Sequence, residues 1–250
     1  MTNDALQQAT QFPLTRYLGS KRKLMPFLHE ALRRLPFDTV LDPFCGTSAV
    51  SYLFKCMNKR VTSSDILLSS VTAARALIAN STVRLEGVID DLVRDLPDFG
   101  TTAGFVEQTF DGIFFLREEN RFIDQILPRI NALNEEKRDL ARWCLVQACL
   151  AKRPYNLFHR ANLAMRTRDV KRSFGNKATW DMPFADHMKK LAASADRAIF
   201  DAGVLCRAFQ SSALEVDPAG YDLVYFDPPY MSFAGKGVDY LDYYHFVEGL

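Results

Sequence analysis

The segment TVLDPFCGTSAVSYLFKCMNKRVTSSD, residues Thr39–Asp65, decides the fold class of this chain. It begins with a short apolar run, Thr39–Asp42, passes through a loop with one proline and one glycine, and continues as a helical pattern over Ser48–Met57. A second short run, Arg60–Ser64, ends in Asp65. Two strands joined by a crossover helix predict an open α/β sheet with parallel strands.

The sequence before the first strand predicts one more helix. The segment Arg16–Lys21 opens it, with Ser20 as the predicted N-cap. Its apolar residues recur at helical spacing and predict a buried face. They are Leu24, Phe27, Leu28, Ala31, Leu32 and Leu35.

The sequence after Asp65 divides into a helical region and a return to the sheet. A helix is predicted over Ser69–Asn80, and residues 82–200 show helical patterns without short apolar strands. Two apolar runs then follow, Val204–Phe209 and Tyr221–Phe226, and both are predicted to be interior strands. We therefore predict a sheet domain from residues 1–81 and 201–250, with a mainly helical insertion at 82–200.

The composition is that of an ordinary globular protein. The 250 residues are 48% hydrophobic and 24% charged, with a formal net charge of +1, and this balance argues against a disordered or fibrous chain. The apolar runs are far shorter than the roughly 18 residues of a membrane span, and the N-terminus has no signal-peptide pattern, so we expect a cytoplasmic location. Five cysteines form no C-x-x-C pair, and with only four histidines they indicate neither a zinc site nor a disulfide framework.

The residues Asp227-Pro228-Pro229-Tyr230 directly follow the last predicted strand. Ligand sites of open α/β sheets lie at the carboxyl ends of strands, so this tetrapeptide is well placed for chemistry. A carboxylate beside a rigid carbonyl suits the activation of an amino group on an aromatic ring, such as that of adenine. This group is a poor nucleophile because its lone pair is delocalised into the ring. We expect Asp227 to accept one amino hydrogen and the Pro228 carbonyl the other, while Tyr230 stacks on a base flipped out of the duplex. The same four residues could instead be only a proline turn that ends the strand.

The loop after the first strand is a second candidate site. It contains Asp42, Phe44 and Gly46, with one glycine where the dinucleotide fingerprint has three. A shorter loop suffices for a cofactor without a pyrophosphate, and Asp65 ends the second strand where an acidic residue would hold ribose hydroxyls. A tight structural turn for the loop and a helix N-cap for Asp65 remain as alternatives.

Together these motifs resemble those of the Dam-like adenine-specific DNA methyltransferases. That family has an N-terminal K/R-aromatic-x-G-G/S-K segment, a D/E-P-F-x-G loop, an acidic end to the second strand and a D-P-P-Y tetrapeptide, in this order. All four occur here, and the resemblance covers residues 14–80 and 204–246. It implies a Rossmann-like methyltransferase sheet dependent on S-adenosylmethionine (AdoMet). It also implies methyl transfer to the amino group of adenine in DNA, without a metal or a covalent enzyme intermediate, in restriction-modification or a related defence system.

The resemblance also implies roles for individual residues. Tyr17 and Lys21 would contact AdoMet, Asp65 would bind its ribose, and Asp227 would lie between the cofactor and the target amine. The expected cofactor-binding residues are Tyr17, Lys21, Asp42, Phe44, Gly46, Asp65 and Asp227, and the expected catalytic residues are Asp227, Pro228 and Tyr230. Residues 1–81 and 201–250 would then be the AdoMet-binding catalytic domain, and 82–200 the region that recognises the DNA target.

Residues 152–177 are rich in basic side chains. They include eight lysines and arginines and one acidic residue, Asp169, with aromatic residues among them. This pattern predicts a surface that contacts DNA phosphates, although a solvated basic face is the alternative. The predicted contacts are Lys152, Arg153, Arg160, Arg166, Arg168, Lys171, Arg172 and Lys177.

The stretch after Tyr230 has 20 residues, too few for the further strands that the resemblance implies. We therefore expect Tyr221–Phe226 to be an apolar sheet edge, completed by a second polypeptide or by a further C-terminal segment. Two other functions remain open: a truncated or split, non-catalytic DNA-binding or specificity subunit, and a methyltransferase for RNA or protein.

Overall fold

The computed structural model describes residues 2–96, 103–168, 176–230 and 237–250. The strands are β1 (Thr39–Asp42), β2 (Arg60–Asp65), β3 (Arg207–Gln210) and β4 (Leu223–Val224). The helices are α1 (Thr2–Ala9), α2 (Met25–Leu32), α3 (Ala49–Cys56), α4 (Leu68–Ala74), α5 (Val88–Val93), α6 (Phe105–Phe110), α7 (Arg117–Asn131), α8 (Glu135–Lys152), α9 (Ala164–Thr167), α10 (Lys177–Asp181), α11 (Phe184–Ala198) and α12 (Tyr240–Glu248). Single 3₁₀ turns occur at Arg22–Leu24 and Pro154–Asn156, and a π-helical turn, Arg75–Ala79, follows α4.

The four strands form one parallel sheet in the order β3-β2-β1-β4. β1 pairs with β2 on one side and with β4 on the other, and α3 is the crossover helix between β1 and β2. Because all four strands run in one direction, their carboxyl ends meet at one edge of the sheet. This topology confirms the predicted α/β class, and it brings the ends of β1, β2 and β4 together.

Burial explains why β1 and β2 occupy the centre. Val40, Leu41 and Val61 are almost fully buried, as strands covered on both faces require. All eight residues of α3 are buried, and this helix packs on β2 and contacts α1 and α2. The segment with the clearest sequence pattern is therefore the core of the fold.

The helical region shares its core with the sheet. α8 buries Trp143, Cys144 and Cys149 and contacts α4, α11 and the π-helical turn. The buried apolar side chains of both regions form one continuous cluster. The division into residues 1–81 with 201–250 and residues 82–200 stays a prediction.

The helix before β1 differs from the prediction. A 3₁₀ turn precedes α2, and Lys21, rather than Ser20, is its N-cap residue, without a side-chain capping bond. The buried residues of α2 are Met25, His29 and Leu32, whereas Phe27 is 72% exposed. The helix was predicted correctly, but its buried face only in part: Leu32 is buried, whereas Leu24 and Phe27 are exposed, because helical spacing alone does not tell which side meets α1 and α3.

The two later strands are shorter than predicted and lie at the sheet edges. β3 and β4 occupy opposite ends of the strand order, so the prediction of interior strands at Val204–Phe209 and Tyr221–Phe226 was wrong. An edge strand pairs on one side only, and Val224 and Phe226 are accordingly exposed. The expectation that Tyr221–Phe226 lies at an apolar edge is confirmed for the described part of the sheet.

All five cysteines are buried and unpaired. Within the described ranges, no group of histidine, cysteine, aspartate and glutamate side chains is arranged to ligate a metal ion. None of the helices described there combines the length and the apolar composition needed to cross a bilayer.

Candidate active site

A cavity opens at the carboxyl end of the sheet. It is partly open to solvent, and together with the solvent-filled space at its mouth it encloses about 730 Å³. Its walls come from the segment before α2, the loop after β1, the end of β2, the segment after β4 and the start of α12. Every residue predicted to bind the cofactor or to act in catalysis lines it: Tyr17, Lys21, Asp42, Phe44, Gly46, Asp65, Asp227, Pro228 and Tyr230.

The loop after β1 turns sharply at Gly46. The φ of Gly46 is +48°, and a Cβ atom added there would lie 3.3 Å from the ring of Tyr17. The Gly46 amide donates a 2.9 Å hydrogen bond to Oδ2 of Asp65, so this loop is tied to the end of β2. Glycine is needed because a side chain would meet both the left-handed backbone and the tyrosine ring.

Asp42 is a buried carboxylate that lines this cavity, with 1% of its surface exposed. Its Oδ2 atom accepts a 2.7 Å hydrogen bond from Ser51, whose hydroxyl lies 2.8 Å from that of Ser63. Its Oδ1 atom has no hydrogen-bond partner among the described residues. Burial raises the pKa of Asp42 to about 7, and the hydrogen bond from Ser51 opposes this rise. The cavity thus holds an acceptor that a ligand cation could bind.

Asp65 ties two backbone segments together. Its Oδ1 and Oδ2 atoms accept hydrogen bonds from the amides of Leu67 and Gly46, each at 2.9 Å. Burial raises the pKa of Asp65, and these hydrogen bonds oppose the rise. The first amides of α4, Leu68 and Ser69, bond instead to the carboxylate of Glu248 in α12, at 2.7 and 3.0 Å. Sequence reasoning missed Glu248, since nothing local marks a cap contributed from the far end of the chain.

The segment after β4 carries a third, more exposed carboxylate. Oδ1 of Asp227 accepts a 2.9 Å hydrogen bond from the hydroxyl of Tyr230, and Oδ2 forms an ion pair with the ammonium of Lys21. That ammonium also lies 4.9 Å from the centre of the Tyr230 ring. Tyr230 is 53% exposed, so much of its ring remains free to contact another molecule.

Two tyrosines of α12 pack against Tyr17 in the cavity wall. Tyr244 stacks on Tyr17 with ring centres 4.7 Å apart, and its hydroxyl accepts a 2.8 Å hydrogen bond from the amide of Leu18. Tyr240 stacks on Tyr17 at 5.8 Å and lines the cavity itself. Sequence reasoning missed Tyr240; the helical spacing between Tyr240 and Tyr244 was the available signal.

Three of the eight predicted DNA-contacting residues are buried, and for these the prediction was wrong. Lys152 and Arg166 both pair with Glu119, at 2.8 and 2.6 Å. The guanidinium of Arg153 is enclosed and donates to four backbone carbonyls, those of Phe114, Leu157, Arg160 and Ala161. Charged groups leave water only with such partners, and none of these side chains can reach a phosphate.

Three of the other five basic residues are exposed, namely Arg160, Arg168 and Lys177. Lys177 also forms a 3.0 Å ion pair with Asp181. Their contact with DNA remains a prediction. Lys171 and Arg172 lie outside the described residues.

Two comparisons with known proteins bear on this site. The model of the D12 class N6 adenine-specific DNA methyltransferase family matches residues 17–245, which include every cavity residue named above. A relative, the Type II methyltransferase M2.HphI of Haemophilus parahaemolyticus, is 28% identical over 247 residues, which are 95% of this chain and 71% of that protein.

Proposed function

The chain belongs to the D12 class N6 adenine-specific DNA methyltransferase family, and we propose that it uses AdoMet to methylate an adenine flipped out of the DNA duplex. One observation carries the proposal: three carboxylates, Asp42, Asp65 and Asp227, line one cavity. AdoMet offers a matching set of groups, namely an ammonium, a sulfonium and two ribose hydroxyls. Carboxylates pair with the first two and accept hydrogen bonds from the last.

The described residues fit AdoMet in a specific way. The unpartnered Oδ1 of Asp42 would accept from the ammonium group, because a buried acceptor gains most from a charged donor. Asp65 would bind the ribose, since each of its oxygens has a lone pair left after its backbone hydrogen bond. The bare backbone at Gly46 lets a ligand approach the loop closely. When bound, AdoMet supplies an electrophilic methyl group on a positively charged sulfur.

The segment after β4 would act on the adenine. Asp227 accepts one hydrogen of the amino group and the Pro228 carbonyl accepts the other, which draws the nitrogen lone pair out of the ring. The exposed ring of Tyr230 stacks on the flipped base. During transfer the nitrogen gains the methyl group and gives up one hydrogen as a proton, which Asp227 is placed to accept.

The decisive test is mass spectrometry of nucleosides from unmethylated DNA incubated with the protein and AdoMet. We expect N6-methyladenine from the wild type, none from Asp227→Asn, and a wild-type amount from Asp217→Asn, which removes an exposed carboxylate that does not line the cavity. An active Asp227→Asn variant would contradict the proposed mechanism. RNA and protein offered beside DNA should stay unmethylated.

We also propose that the exposed residues Arg160, Arg168 and Lys177 contact DNA phosphates. Each change to alanine should weaken binding to all DNA sequences alike and lower the salt dependence of the affinity by about one counterion. Arg94→Ala is the matched control, because Arg94 directly follows α5 and is, like Arg160 and Arg168, an exposed arginine. If the affinity of all four variants depended equally on salt, Arg160, Arg168 and Lys177 would not contact DNA phosphates.

The biological setting is proposed from the relative's name. M2.HphI is a Type II methyltransferase, and we propose that this chain likewise protects DNA in a restriction-modification system, and hence acts in the cytoplasm. The outer edge of β4, with Val224 and Phe226 exposed, is proposed to pair with a strand from a second polypeptide or a further C-terminal segment. A chain that is monomeric by light scattering and fully active alone would overturn that last proposal.

A further inference from the structure

One face of α12 joins two segments that line the cavity. Tyr240, Tyr244 and Glu248 follow one another at a spacing of four residues, so they lie on the same side of the helix. The two tyrosines stack on Tyr17, and the hydroxyl of Tyr244 accepts the amide hydrogen of Leu18. Glu248, one turn further along this face, bonds to the start of α4, which follows the other segment.

That other segment, residues 65–69, turns the chain from the end of β2 into α4. Asp65 and Ile66 line the cavity, and their carbonyl groups are both held from the end of β3. The amide of Ser211 donates a 3.1 Å hydrogen bond to the Asp65 carbonyl, and the side chain of Gln210 donates one of 2.8 Å to the Ile66 carbonyl. One side of this turn is therefore fixed by β3.

Glu248 fixes the other side of the turn. Its Oε2 and Oε1 atoms accept hydrogen bonds from the amides of Leu68 and Ser69, at 2.7 and 3.0 Å, so both oxygens are engaged. Burial raises the pKa of Asp65, and the nearby charge of Glu248 adds to this rise. Among the described residues, the cavity wall includes Asp65 and Ile66 but not Glu248, so Glu248 can affect a ligand there only through the residues that it holds.

We propose that Glu248 is a positioning residue for the nucleoside part of AdoMet, because it holds residues 65–69 in the conformation that presents Asp65 and Ile66 to the cavity. This inference rests on the proposed function. The groups proposed to act on the adenine, Asp227 and Tyr230, belong to the segment after β4. Loss of the Glu248 carboxylate should therefore weaken cofactor binding and leave the chemical step intact.

The test compares two ligands that share the nucleoside. We would measure the Kd of AdoMet by calorimetry, and that of methylthioadenosine by displacement of AdoMet, in the wild type, Glu248→Ala, Glu248→Gln and Asp242→Asn. Methylthioadenosine is uncharged and lacks the amino-acid part, so a purely electrostatic effect of Glu248 would change the Kd of AdoMet alone. Asp242 is the matched control because it is an exposed carboxylate of the same helix that does not line the cavity. Thermal unfolding would verify that each variant is folded.

We expect Glu248→Ala to raise the Kd of both ligands by the same factor, about tenfold, because the turn loses two hydrogen bonds. Glu248→Gln should raise both by a smaller factor, since its side-chain carbonyl can still accept from one amide, and Asp242→Asn should bind as the wild type does. The single-turnover rate of Glu248→Ala with both substrates saturating should stay within about threefold of wild type.

Two results would overturn the proposal. An unchanged Kd of methylthioadenosine in Glu248→Ala would show that the nucleoside site does not depend on Glu248. A saturated rate lowered by about tenfold or more would show that Glu248 acts on the chemical step instead.

A second measurement needs neither cofactor nor activity. Amide hydrogen exchange at Leu68 and Ser69, followed by NMR, should be about tenfold faster in Glu248→Ala than in the wild type, while exchange in α7 stays the same. Equal exchange at both amides would show that Glu248 does not hold the turn, and would overturn the proposal. A wild type that binds neither ligand would instead contradict the proposed function, and the exchange rates would still decide whether Glu248 holds residues 65–69.

Discussion

Replacing the buried carboxylate at position 42 by an amide should make the stability of the protein less dependent on pH. Asp42 has a pKa of about 7 in the folded protein against an ordinary value of 3.8. Ionising it inside the fold therefore costs about 4 kcal/mol, at 1.36 kcal/mol per pH unit. The amide introduced by Asp42→Asn has nearly the same shape as the carboxylate and can still accept the hydrogen bond from Ser51. It cannot ionise, so this cost disappears.

The direction in which stability changes with pH follows from which state, folded or unfolded, binds more protons. Between pH 4 and 7 the folded wild type holds a proton on Asp42 that the unfolded chain has released, so its stability falls as the pH rises. The contribution is fully present below the unfolded pKa and has been lost above about pH 7. Between pH 5 and pH 8 the wild type should lose about 3 kcal/mol through this group, and Asp42→Asn should lose none of it.

Urea unfolding followed by circular dichroism at pH 5, 6, 7 and 8, without cofactor, would measure this difference. The amide hydrogens of the variant can cost about 1–3 kcal/mol if they lack acceptors, but that cost does not change with pH, so the slope is the quantity to compare. Asp217→Asn is the control, because Asp217 is exposed. Parallel stability curves for wild type and Asp42→Asn would refute the reasoning.

The Asp42 carboxyl group also couples AdoMet binding to the release of a proton. If the cofactor ammonium pairs with ionised Asp42, binding at pH 6, where the cofactor amine is already protonated, must release about 0.9 proton. Calorimetry in two buffers of different ionisation enthalpy measures this number directly. Asp42→Asn should bind AdoMet more weakly and release no proton through this group.

Three further substitutions test the supports of the site, each by urea unfolding. Gly46→Ala should cost about 1–2 kcal/mol, because φ is +48° and the new Cβ meets Tyr17; a neutral change would mean that the loop adapts. Tyr244→Phe removes the acceptor of the Leu18 amide and should cost about 1–3 kcal/mol, whereas an effect within error would mean that water replaces the hydroxyl. Arg153→Met leaves four backbone carbonyls without their donor and should lower the free energy of unfolding by about 3 kcal/mol or more. If Arg94→Met lowered it by the same amount, the buried hydrogen bonds of Arg153 would not be the cause.

The grouping of the candidate site residues could be predicted because several of them follow parallel strands. Asp42 ends β1, Asp65 ends β2, and Asp227 follows β4 within a few residues. Parallel strands bring such positions to one edge whatever lies between them in the chain, so local pattern was enough to place three carboxylates together.

For the basic residues, the local sequence did not tell which side chains are exposed. Lys152 and Arg168 look equivalent in the sequence, yet one is buried against Glu119 and the other is exposed. Charge density reports how many basic groups a segment carries, not which of them find a partner in another element. The predicted phosphate-contacting set therefore mixed structural and exposed side chains.

By itself the sequence determined the crossover of β1, α3 and β2, the carboxylates at the strand ends and their family pattern, because these depend on short-range periodicity and on strand direction. Only the tertiary structure decided that Lys21 faces Asp227, that α2 buries Met25 rather than Phe27, and that Arg153 lies inside the protein. Each of these depends on a contact with another element of the structure. Such a contact is set by how the helices pack on the sheet, and the local sequence carries no record of it.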